Sequence, residues 1–368
     1  MPRPSLDRLN GILKRVSRSF YLSLRILPQS LRVPIGLAYL FARAADTIAD
    51  TSLISPGDRL TLLEQFRTLF RRYDATTLAT VRAALVGPQH NPAERELLST
   101  LDQCFTVLWA CEEGDQARIS RLLLTLTQGM IMDLTVFPPE RHGRVVALKS
   151  GQDLDRYTYY VAGCVGEFWT ETHVTHRRAL ATWDVEVMKG WGVRFGKGLQ
   201  MTNILRDLAH DLRLGRCYLP LTDLMAHGLT PEQLLEPAAI VRVRPIVQDL
   251  LALTREHYRK GWAYTQAIPR REVRMRLACM WPLLIGVRTL DLVARADNLL
   301  DPRVTLKIPR PAVYRLLLSS SMRVLSNRGL RRYAQQRAGT ACFRGEGTHG
   351  MANRDRFHTQ PSEGGKRA

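Results

Sequence analysis

The chain has 368 residues and a formal net charge of +19, and its 45% hydrophobic and 24% charged residues are ordinary for a globular protein. This length accommodates one large or two modest domains with a sizeable core. The basic excess favours a nucleic acid, an anionic membrane surface or an anionic substrate as partner. Because the arginines are scattered through helical segments without a recognisable nucleic-acid-binding motif, we expect no nucleic acid and favour the other two.

Cysteine usage and apolar runs bear on the compartment. The six cysteines are widely spaced and form no CxxC pair, which argues against a disulfide framework or zinc site and predicts a reducing environment. The first ten residues lack the apolar stretch of a signal peptide. The most apolar later run, residues 277–287, is too short for a membrane span of about 20 residues. We therefore expect a cytoplasmic protein, peripherally associated with the inner face of an anionic membrane.

Helical periodicity dominates the chain, and no convincing alternating strand pattern is present. We therefore predict an all-α fold. The predicted helices cover residues 6–27, 31–52, 58–73, 76–86, 93–110, 115–136, 151–172, one or two helices within 178–212, then 239–267 and 271–297, with a turn at 215–220. The composition shifts to Gly, Arg, Thr and Asn after about residue 338, which predicts one domain over 1–337 and a basic, disordered tail over 338–368.

The stretch QMTNILRDLAHD, residues 200–211, places polar side chains on one face of a predicted helix. Asn203, Asp207 and Asp211 are spaced four residues apart, and Gln200 precedes Asn203 by three. Carboxylate and amide oxygens that project together suit a hard divalent cation such as Mg²⁺, which carboxylates commonly share with a substrate phosphate. A solvated acidic helix face would show the same pattern.

A second aspartate pair strengthens the metal hypothesis. Asp46 and Asp50 are also four residues apart on an amphipathic segment. Arg43 lies one turn before the first pair, and Arg206 directly precedes the second. Two facing helices that each carry such a pair, with guanidinium groups nearby, would form a cage for Mg²⁺ bridged to a diphosphate.

The segments DTIAD, DRYTYYVAGCVG and NILRDLAHD, in this order, resemble the motifs of the squalene/phytoene synthase family over roughly residues 12–320. Members join two prenyl diphosphates head to head. The resemblance implies a single-domain, isoprenoid-synthase-type helical bundle around a central cavity, with Mg²⁺ as cofactor and NADPH as reductant in a squalene synthase. The metal ligands that it implies are Asp46, Asp50, Asn203, Asp207 and Asp211.

The resemblance also assigns catalytic and binding residues. Tyr157, the first tyrosine of DRYTYY, matches the family's catalytic tyrosine, which acts with the four aspartates; its phenol would shuttle a proton or its ring would stabilise a carbocation. Residues 215–220 match a flap that closes over the diphosphates and excludes water. Lys307 lies in VTLKIPRP, which resembles a basic segment associated with NADPH. The substrate-binding residues implied are Ser17, Arg18, Ser19, Phe20, Tyr39, Arg43, Gln200, Asn203, Arg206, Arg216 and Tyr218.

Three other groups of residues receive structural interpretations. Gly163 and Gly166 within a helical pattern predict close approach of another helix or a ligand. Gly129 and Asp133, on the helix predicted over 115–136, either face the cavity or are packing and surface residues, and we favour the second interpretation. His173 and His176 form an HxxH pattern with too few neighbouring ligands for zinc, so we expect surface histidines at a helix end.

From these features we predict a squalene synthase that joins two farnesyl diphosphates through presqualene diphosphate, with Mg²⁺-assisted ionisation and reduction by NADPH. We expect the bulky Phe168 and Trp169 to shorten the pocket to a C15 chain. Two alternatives use the same machinery: a phytoene synthase acting on two geranylgeranyl diphosphates, and a presqualene diphosphate synthase without the reductive step. The non-enzymatic alternative is an inactive, basic relative that binds a membrane surface.

Overall fold

The computed structural model describes residues 3–17, 21–51, 53–137, 144–329 and 332, and within them the predicted all-α fold is confirmed. The tail expected over 338–368 lies outside these residues. The elements are α1 (Arg3–Val16), α2 (Tyr21–Ile26), α3 (Gln29–Asp50), α4 (Pro56–Thr68), α5 (Ala75–Val86), α6 (Pro92–Ser99), α7 (Leu101–Trp109), α8 (Glu113–Val136), β1 (Val146–Leu148), α9 (Gly151–Thr158), α10 (Cys164–His176), α11 (Val185–Arg206), α12 (Leu208–Arg213), β2 (Arg216–Pro220), α13 (Leu221–Ala226), α14 (Ile240–Ala267), α15 (Val273–Arg295) and α16 (Arg310–Ser321).

The hydrophobic core consists of two clusters, one in each half of the chain. The first surrounds α3, which packs against α4, α7 and α8, and includes the fully buried Phe41, Phe66 and Phe105. The second surrounds α11, which packs against α14 and α15. This cluster includes the fully buried Tyr258 of α14. Helix α10 contacts α3 and α8 on one side and α11 on the other. The two clusters thus meet along α8 and α10, and α8 also lines the main cavity.

Several predicted helices are shorter than expected. The helix predicted over 6–27 is divided into α1 and α2, and the one predicted over 93–110 is divided at Thr100. The 178–212 segment is divided at Asp207, whose backbone (φ −98°, ψ 9°) leaves the α-helical region. The Asp207 carbonyl still accepts a hydrogen bond from the Asp211 amide at 2.9 Å, so the four-residue spacing of the carboxylates survives the break.

The expectation that the chain has no strand is wrong, because β1 and β2 form a two-stranded parallel sheet. Gly215, with φ 81°, turns the chain out of α12 and into β2, and its carbonyl accepts a hydrogen bond from the Val146 amide at 3.0 Å. The predicted turn at 215–220 is therefore largely strand. Alternation along β2 places Arg216 and Tyr218 on the cavity side, whereas Cys217 is fully buried.

Glycines let α10 and α11 cross in backbone contact. A Cβ atom on Gly166 would lie 2.0 Å from the Gly192 carbonyl oxygen, and one on Gly196 would lie 2.2 Å from the Ala162 carbonyl oxygen. The prediction that glycines in this segment permit close helix approach is confirmed. Between α9 and α10 the helix widens into one π-helical turn, Tyr159–Gly163, a feature found frequently at functional sites.

Helix α15 matches the helix predicted over 271–297 to within two residues at each end, but the statement that its apolar run is too short for a membrane span needs correction. By length and composition it is the one helix in the described part of the chain that is able to cross a bilayer, because it extends beyond the apolar run 277–287 at both ends. However, 56% of its most apolar window is buried inside the fold. It packs against α2, α11, α14 and α16, as a core helix does.

The interpretation of the HxxH histidines as surface residues is wrong. His173 is fully buried, its Nδ1 lies 2.7 Å from the Trp169 carbonyl oxygen, and burial lowers its pKa to about 3. His176 is partly buried, with Nε2 2.8 Å from the carboxylate of the buried Asp115. Both histidines therefore take part in packing between α10 and its neighbours.

Candidate active site

The main cavity has a volume of about 400 Å³ and lies between α3, α8, α11 and β2. Its polar wall brings together most of the residues that sequence reasoning selected. They are Asp46, Asp50, Tyr157, Gln200, Asn203, Asp207, Asp211, Arg216 and Tyr218, joined by Asp133. Its apolar wall consists of Ala42, Ala49, Leu126, Met130, Leu134, Val161 and Ile204.

The first aspartate pair projects from the last two turns of α3. Removal from bulk water and repulsion from Asp50 raise the pKa of Asp46 to about 7. Arg43 Nη1 lies 3.8 Å from Asp46 Oδ2, but its closest contact is with Glu94 on α6. Arg43 is thus placed behind the pair, where it contacts Glu94, and does not line the cavity.

The second pair lies at the junction of α11 and α12, across the cavity from the first. Desolvation and the neighbouring Asp207 raise the pKa of Asp211 to about 7. Arg206 donates from Nε to Asp207 Oδ1 at 2.8 Å, and its Nη2 contacts the second carboxylate oxygen. This bidentate contact fixes the Asp207 carboxylate and keeps the guanidinium out of the cavity lining.

A carboxylate on α8 joins two tyrosines that come from distant parts of the chain. Tyr157 and Tyr218 are buried, and their rings stack with centroids 4.8 Å apart. Their hydroxyls donate to Asp133 Oδ2 and Oδ1, each at 3.0 Å. The two hydroxyl oxygens are 3.3 Å apart. Each phenol has one proton and donates it to Asp133 when that carboxylate is ionised, so the two oxygens are then in close contact without a hydrogen bond between them. Desolvation raises the pKa of Asp133 to about 7.

The interpretation of Asp133 as a packing or surface residue is wrong. The only sequence signal was its position four residues after Gly129, on the same face of α8. That face contacts the π-helical turn: a Cβ on Gly129 would lie 2.4 Å from Val161 Cγ1. Asp133 lies one turn after Gly129 on this face of α8, so its side chain is directed to the cavity that the π-helical turn also lines.

Arg216 is the cation nearest to the cavity carboxylates among the described lining residues. Its guanidinium opposes the desolvation that raises the pKa values of Asp50, Asp133 and Asp211. It therefore lies within electrostatic reach of both aspartate pairs and of the tyrosine-binding carboxylate. An anion that enters the cavity would meet this positive charge together with any cation that the aspartates bind.

Other predicted substrate-binding residues do not line the cavity, and Arg18, Ser19 and Phe20 lie outside the described residues. Ser17 is buried and its hydroxyl donates to the Leu13 carbonyl at 2.5 Å, at the end of α1. The Tyr39 hydroxyl lies 3.5 Å from the carbonyl of Val16. The Tyr39 side chain thus connects α3 to α1, whereas the Ser17 hydroxyl bonds within the end of α1.

Lys307 lines a second, smaller cavity of about 240 Å³ that lies on the other side of Asp207. Its remaining wall consists of Arg206, Ala209, His210 and Arg213 with Pro302, Val304, Thr305 and Leu306. Lys307, Arg206 and Arg213 outnumber the single carboxylate of Asp207, which gives this cavity a positive character. Phe168 and Trp169, which were expected to shorten the substrate pocket, do not line the main cavity.

The donor set fits Mg²⁺ that is shared with a substrate. In the described parts of the chain, no group of three or more His, Cys, Asp or Glu side chains is close enough together to hold a metal ion alone. The carboxylates instead occur as pairs on facing walls. Burial raises the pKa values of Asp46 and Asp211 most, and the neighbouring carboxylate of each pair raises them further, a repulsion that a cation would relieve. Mg²⁺ usually binds through one or two carboxylates plus substrate phosphates, which matches this arrangement.

Comparison with known proteins agrees with this geometry. A family model described as squalene/phytoene synthase matches residues 13–310. The chain is 29% identical over 261 residues to a bifunctional lycopene cyclase/phytoene synthase of Colletotrichum graminicola, which covers 69% of this chain and 42% of that protein. It is 27% identical over 325 residues to a squalene synthase of Eremothecium gossypii, which covers 86% of this chain and 68% of that one.

The fold is also similar to that of a solved structure. The solved complex of TcSQS with the ligand BPH1237 superposes with a TM-score of 0.68 at 21% identity, and the superposition covers 92% of this chain and 96% of that one. One conclusion follows from the match of the family model over most of the chain, the two facing aspartate pairs and this shared helical fold. The chain belongs to the squalene/phytoene synthase family.

Proposed function

We propose that the protein is a squalene synthase, which joins two farnesyl diphosphates head to head to presqualene diphosphate and reduces this intermediate with NADPH. The observation that carries the coupling step is the facing of two aspartate pairs across one cavity that also has an apolar wall. Two carboxylate pairs give binding positions for two diphosphates, and the apolar wall gives the prenyl chains a water-free surface. The relation to the Eremothecium squalene synthase supports the C15 assignment.

The diphosphates bind at the polar end of the cavity. Asp46 and Asp50 on one wall, and Asp207 and Asp211 on the other, would hold Mg²⁺, with the Asn203 amide oxygen as a further ligand. A Mg²⁺ ion held by these residues would supply positive charge to a departing diphosphate. Arg216 adds a fixed positive charge to the same end, and Gln200 offers an amide donor to diphosphate oxygens.

The tyrosines act at the boundary between the polar and apolar walls. Burial raises the pKa of Tyr157 well above its ordinary value, so this phenol stays protonated at neutral pH. Because its one proton is donated to Asp133, the Tyr157 phenol acts through its stacked ring, which attracts an allylic cation. Asp133, by accepting from both hydroxyls, fixes the orientation of Tyr157 and Tyr218.

The apolar wall protects the reactive intermediate from water. Leu126, Met130 and Leu134 project from one face of α8, and Val161 projects from the π-helical turn. Exclusion of water from this wall prevents capture of a carbocation before the second prenyl chain attacks it. Because Phe168 and Trp169 do not line this cavity, they lend the C15 assignment no support, and the assignment rests on the relation to a squalene synthase.

The reductive step requires a place for NADPH, and we assign it to the cavity of Lys307. Lys307, Arg206 and Arg213 offer cationic groups that suit the phosphates of a dinucleotide. This cavity shares Asp207 with the lining of the main cavity, where the diphosphates would bind. The cofactor would therefore lie next to the site where presqualene diphosphate ionises.

A second candidate is a phytoene synthase, which the similarity to the bifunctional Colletotrichum protein favours. The matched region spans less than half of that relative, so its cyclase activity has no counterpart in this proposal. A phytoene synthase would take two C20 diphosphates and would lose a proton where a squalene synthase accepts a hydride. A presqualene diphosphate synthase would stop before either step.

A product assay separates these candidates. The purified chain would be incubated with Mg²⁺ and either farnesyl or geranylgeranyl diphosphate, with and without NADPH, and the lipids identified by mass. Squalene that forms only with NADPH supports the proposal. A C30 cyclopropyl diphosphate that accumulates regardless of NADPH would contradict the reductive step, and phytoene from the C20 substrate would contradict the chain length. Absence of product, with no thermal shift by Mg²⁺ and a diphosphate analogue, would favour an inactive relative.

A further inference from the structure

An exposed apolar stripe runs along α16 and the turn that follows it. Tyr314, Leu318, Met322 and Leu325 recur at spacings of four, four and three residues, so they lie on one face. Their exposed fractions are 65%, 67%, 70% and 60%. Single exposed apolar residues are normal, but a continuous row of large ones marks an interaction surface.

The same segment is strongly basic. Arg310 and Arg315 are exposed, and on a helix they fall on opposite sides of the stripe. From residue 302 to residue 345 the sequence contains no Asp or Glu. Further exposed cationic residues before and after the helix are Arg303, Lys307, Arg323 and Arg328.

The stripe faces outward because the opposite face of the segment is anchored in the core. Leu316, Ser320 and Val324 are buried against the protein. Beyond the helix, the fully buried Arg276 of α15 donates to the side chain of Asn327. The apolar side chains are therefore held in solvent by a segment that is itself fixed at several points.

The charge pattern decides which partner would cover this surface. A second copy of the chain would bring the same arginines opposite one another, and like charges in contact are destabilising. The sequence of 333–368 offers only scattered aromatic or aliphatic residues and is itself basic, so it complements neither the stripe nor the arginines. An anionic bilayer complements both, because its acyl region accepts apolar side chains and its phosphates accept guanidinium groups.

We propose that this α16 surface, defined by Tyr314, Leu318, Met322 and Leu325 with the flanking Arg310 and Arg315, docks the protein peripherally on an anionic lipid bilayer. The apolar stripe enters the boundary between headgroups and acyl chains, while the arginines contact lipid phosphates. The segment 302–306 that leads into α16 also lines the cavity beside Asp207. The docked surface is thus continuous in sequence with the wall of that cavity.

Vesicle flotation with the full-length chain tests this inference. Vesicles of phosphatidylcholine mixed with phosphatidylglycerol would be compared with pure phosphatidylcholine, at low and high salt. We expect binding to the anionic vesicles that weakens with salt. We expect about a ten-fold lower partition coefficient for Leu318→Ser, and about a hundred-fold lower one when Met322→Ser and Leu325→Ser are added.

The matched control is Met225→Ser, which removes an equally exposed (67%) apolar residue on α13 and should leave vesicle binding unchanged. Unchanged circular dichroism would show that the variants are folded. Equal binding of the triple variant and the control would overturn the proposal, as would binding that vanishes on removal of 333–368 but resists the α16 substitutions. A lipid-free dimer that Leu318→Ser converts to a monomer would assign the surface to a second copy and would also overturn it.

Discussion

Asp133→Asn tests whether the α8 carboxylate organises the two tyrosines. The substitution keeps the shape of the side chain but removes the negative charge that both phenols contact at 3.0 Å. A hydrogen bond to a charged acceptor contributes about 1–1.5 kcal/mol more than one to a neutral acceptor. For two such bonds the loss is about 2–3 kcal/mol, which corresponds to a decrease in kcat of about 30- to 150-fold.

The effect of Asp133→Asn on kcat should depend on pH. Because desolvation raises the pKa of Asp133 to about 7, the wild-type carboxylate is mostly protonated at pH 6 and mostly ionised at pH 8. Asparagine resembles the protonated form, so the ratio of wild-type to variant kcat should be larger at pH 8 than at pH 6. The folded carboxyl binds its proton more tightly than the unfolded one, so its contribution to the free energy of unfolding falls as pH rises from about 4 to 7. The variant should therefore unfold at the same or a higher temperature than wild type at pH 8.

The assay is initial-rate product formation with saturating prenyl diphosphate and Mg²⁺ across this pH range. Asp249→Asn, an exposed aspartate on α14, is the matched control and should behave as wild type. In a Tyr157→Phe background the effect of Asp133→Asn should shrink, because the carboxylate acts through that phenol. An Asp133→Asn enzyme with kcat within about two-fold of wild type and the same pH profile would refute the reasoning.

Three further outcomes follow from the site and the helix packing. Asp207→Asn should lower turnover at least about 100-fold with an unchanged melting temperature, because the residue faces the cavity; near-normal turnover would contradict the metal assignment. Mg²⁺ with a diphosphate analogue should raise the melting temperature more at pH 8 than at pH 6, since Asp46 and Asp211 with pKa values of about 7 must lose protons to bind it; equal shifts would exclude these carboxylates as ligands. Gly166→Ala should lower the free energy of unfolding in urea by about 1–3 kcal/mol, because the added Cβ meets the backbone of α11. Gly190→Ala, which meets no atom within 4 Å, should not lower it.

Sequence reasoning located the parts of the site that depend on local spacing. Asp46 and Asp50, and Asp207 and Asp211, are recognisable because four-residue spacing on a helix aligns side chains whatever the tertiary structure. Asp133 has no charged partner nearby in sequence, and its role arises only when α8 packs against Tyr157 and β2. A residue of this kind is found through contacts between distant segments, which periodicity does not encode.

The same limit explains the errors in the fold. β2 is five residues long, too short for an alternation pattern, and its partner β1 lies far away in the chain. His173 was taken as a surface residue because a polar side chain at a helix end is usually exposed, but here it lies on the inward face of α10 and is fully buried. Local propensity thus predicts most helices, whereas burial and strand pairing follow from how the helices pack.

The small β1–β2 sheet has a consequence for how activity is acquired during folding. β1 leads into α9, which carries Tyr157, and β2 itself carries Tyr218, so the two phenols approach Asp133 only after this pairing of distant segments has formed. Contacts between residues far apart in sequence carry a high entropic cost of loop closure and generally form late. In a refolding experiment, helical circular dichroism should therefore recover before catalytic turnover, and the interval between the two signals would report the time needed to close this one sheet.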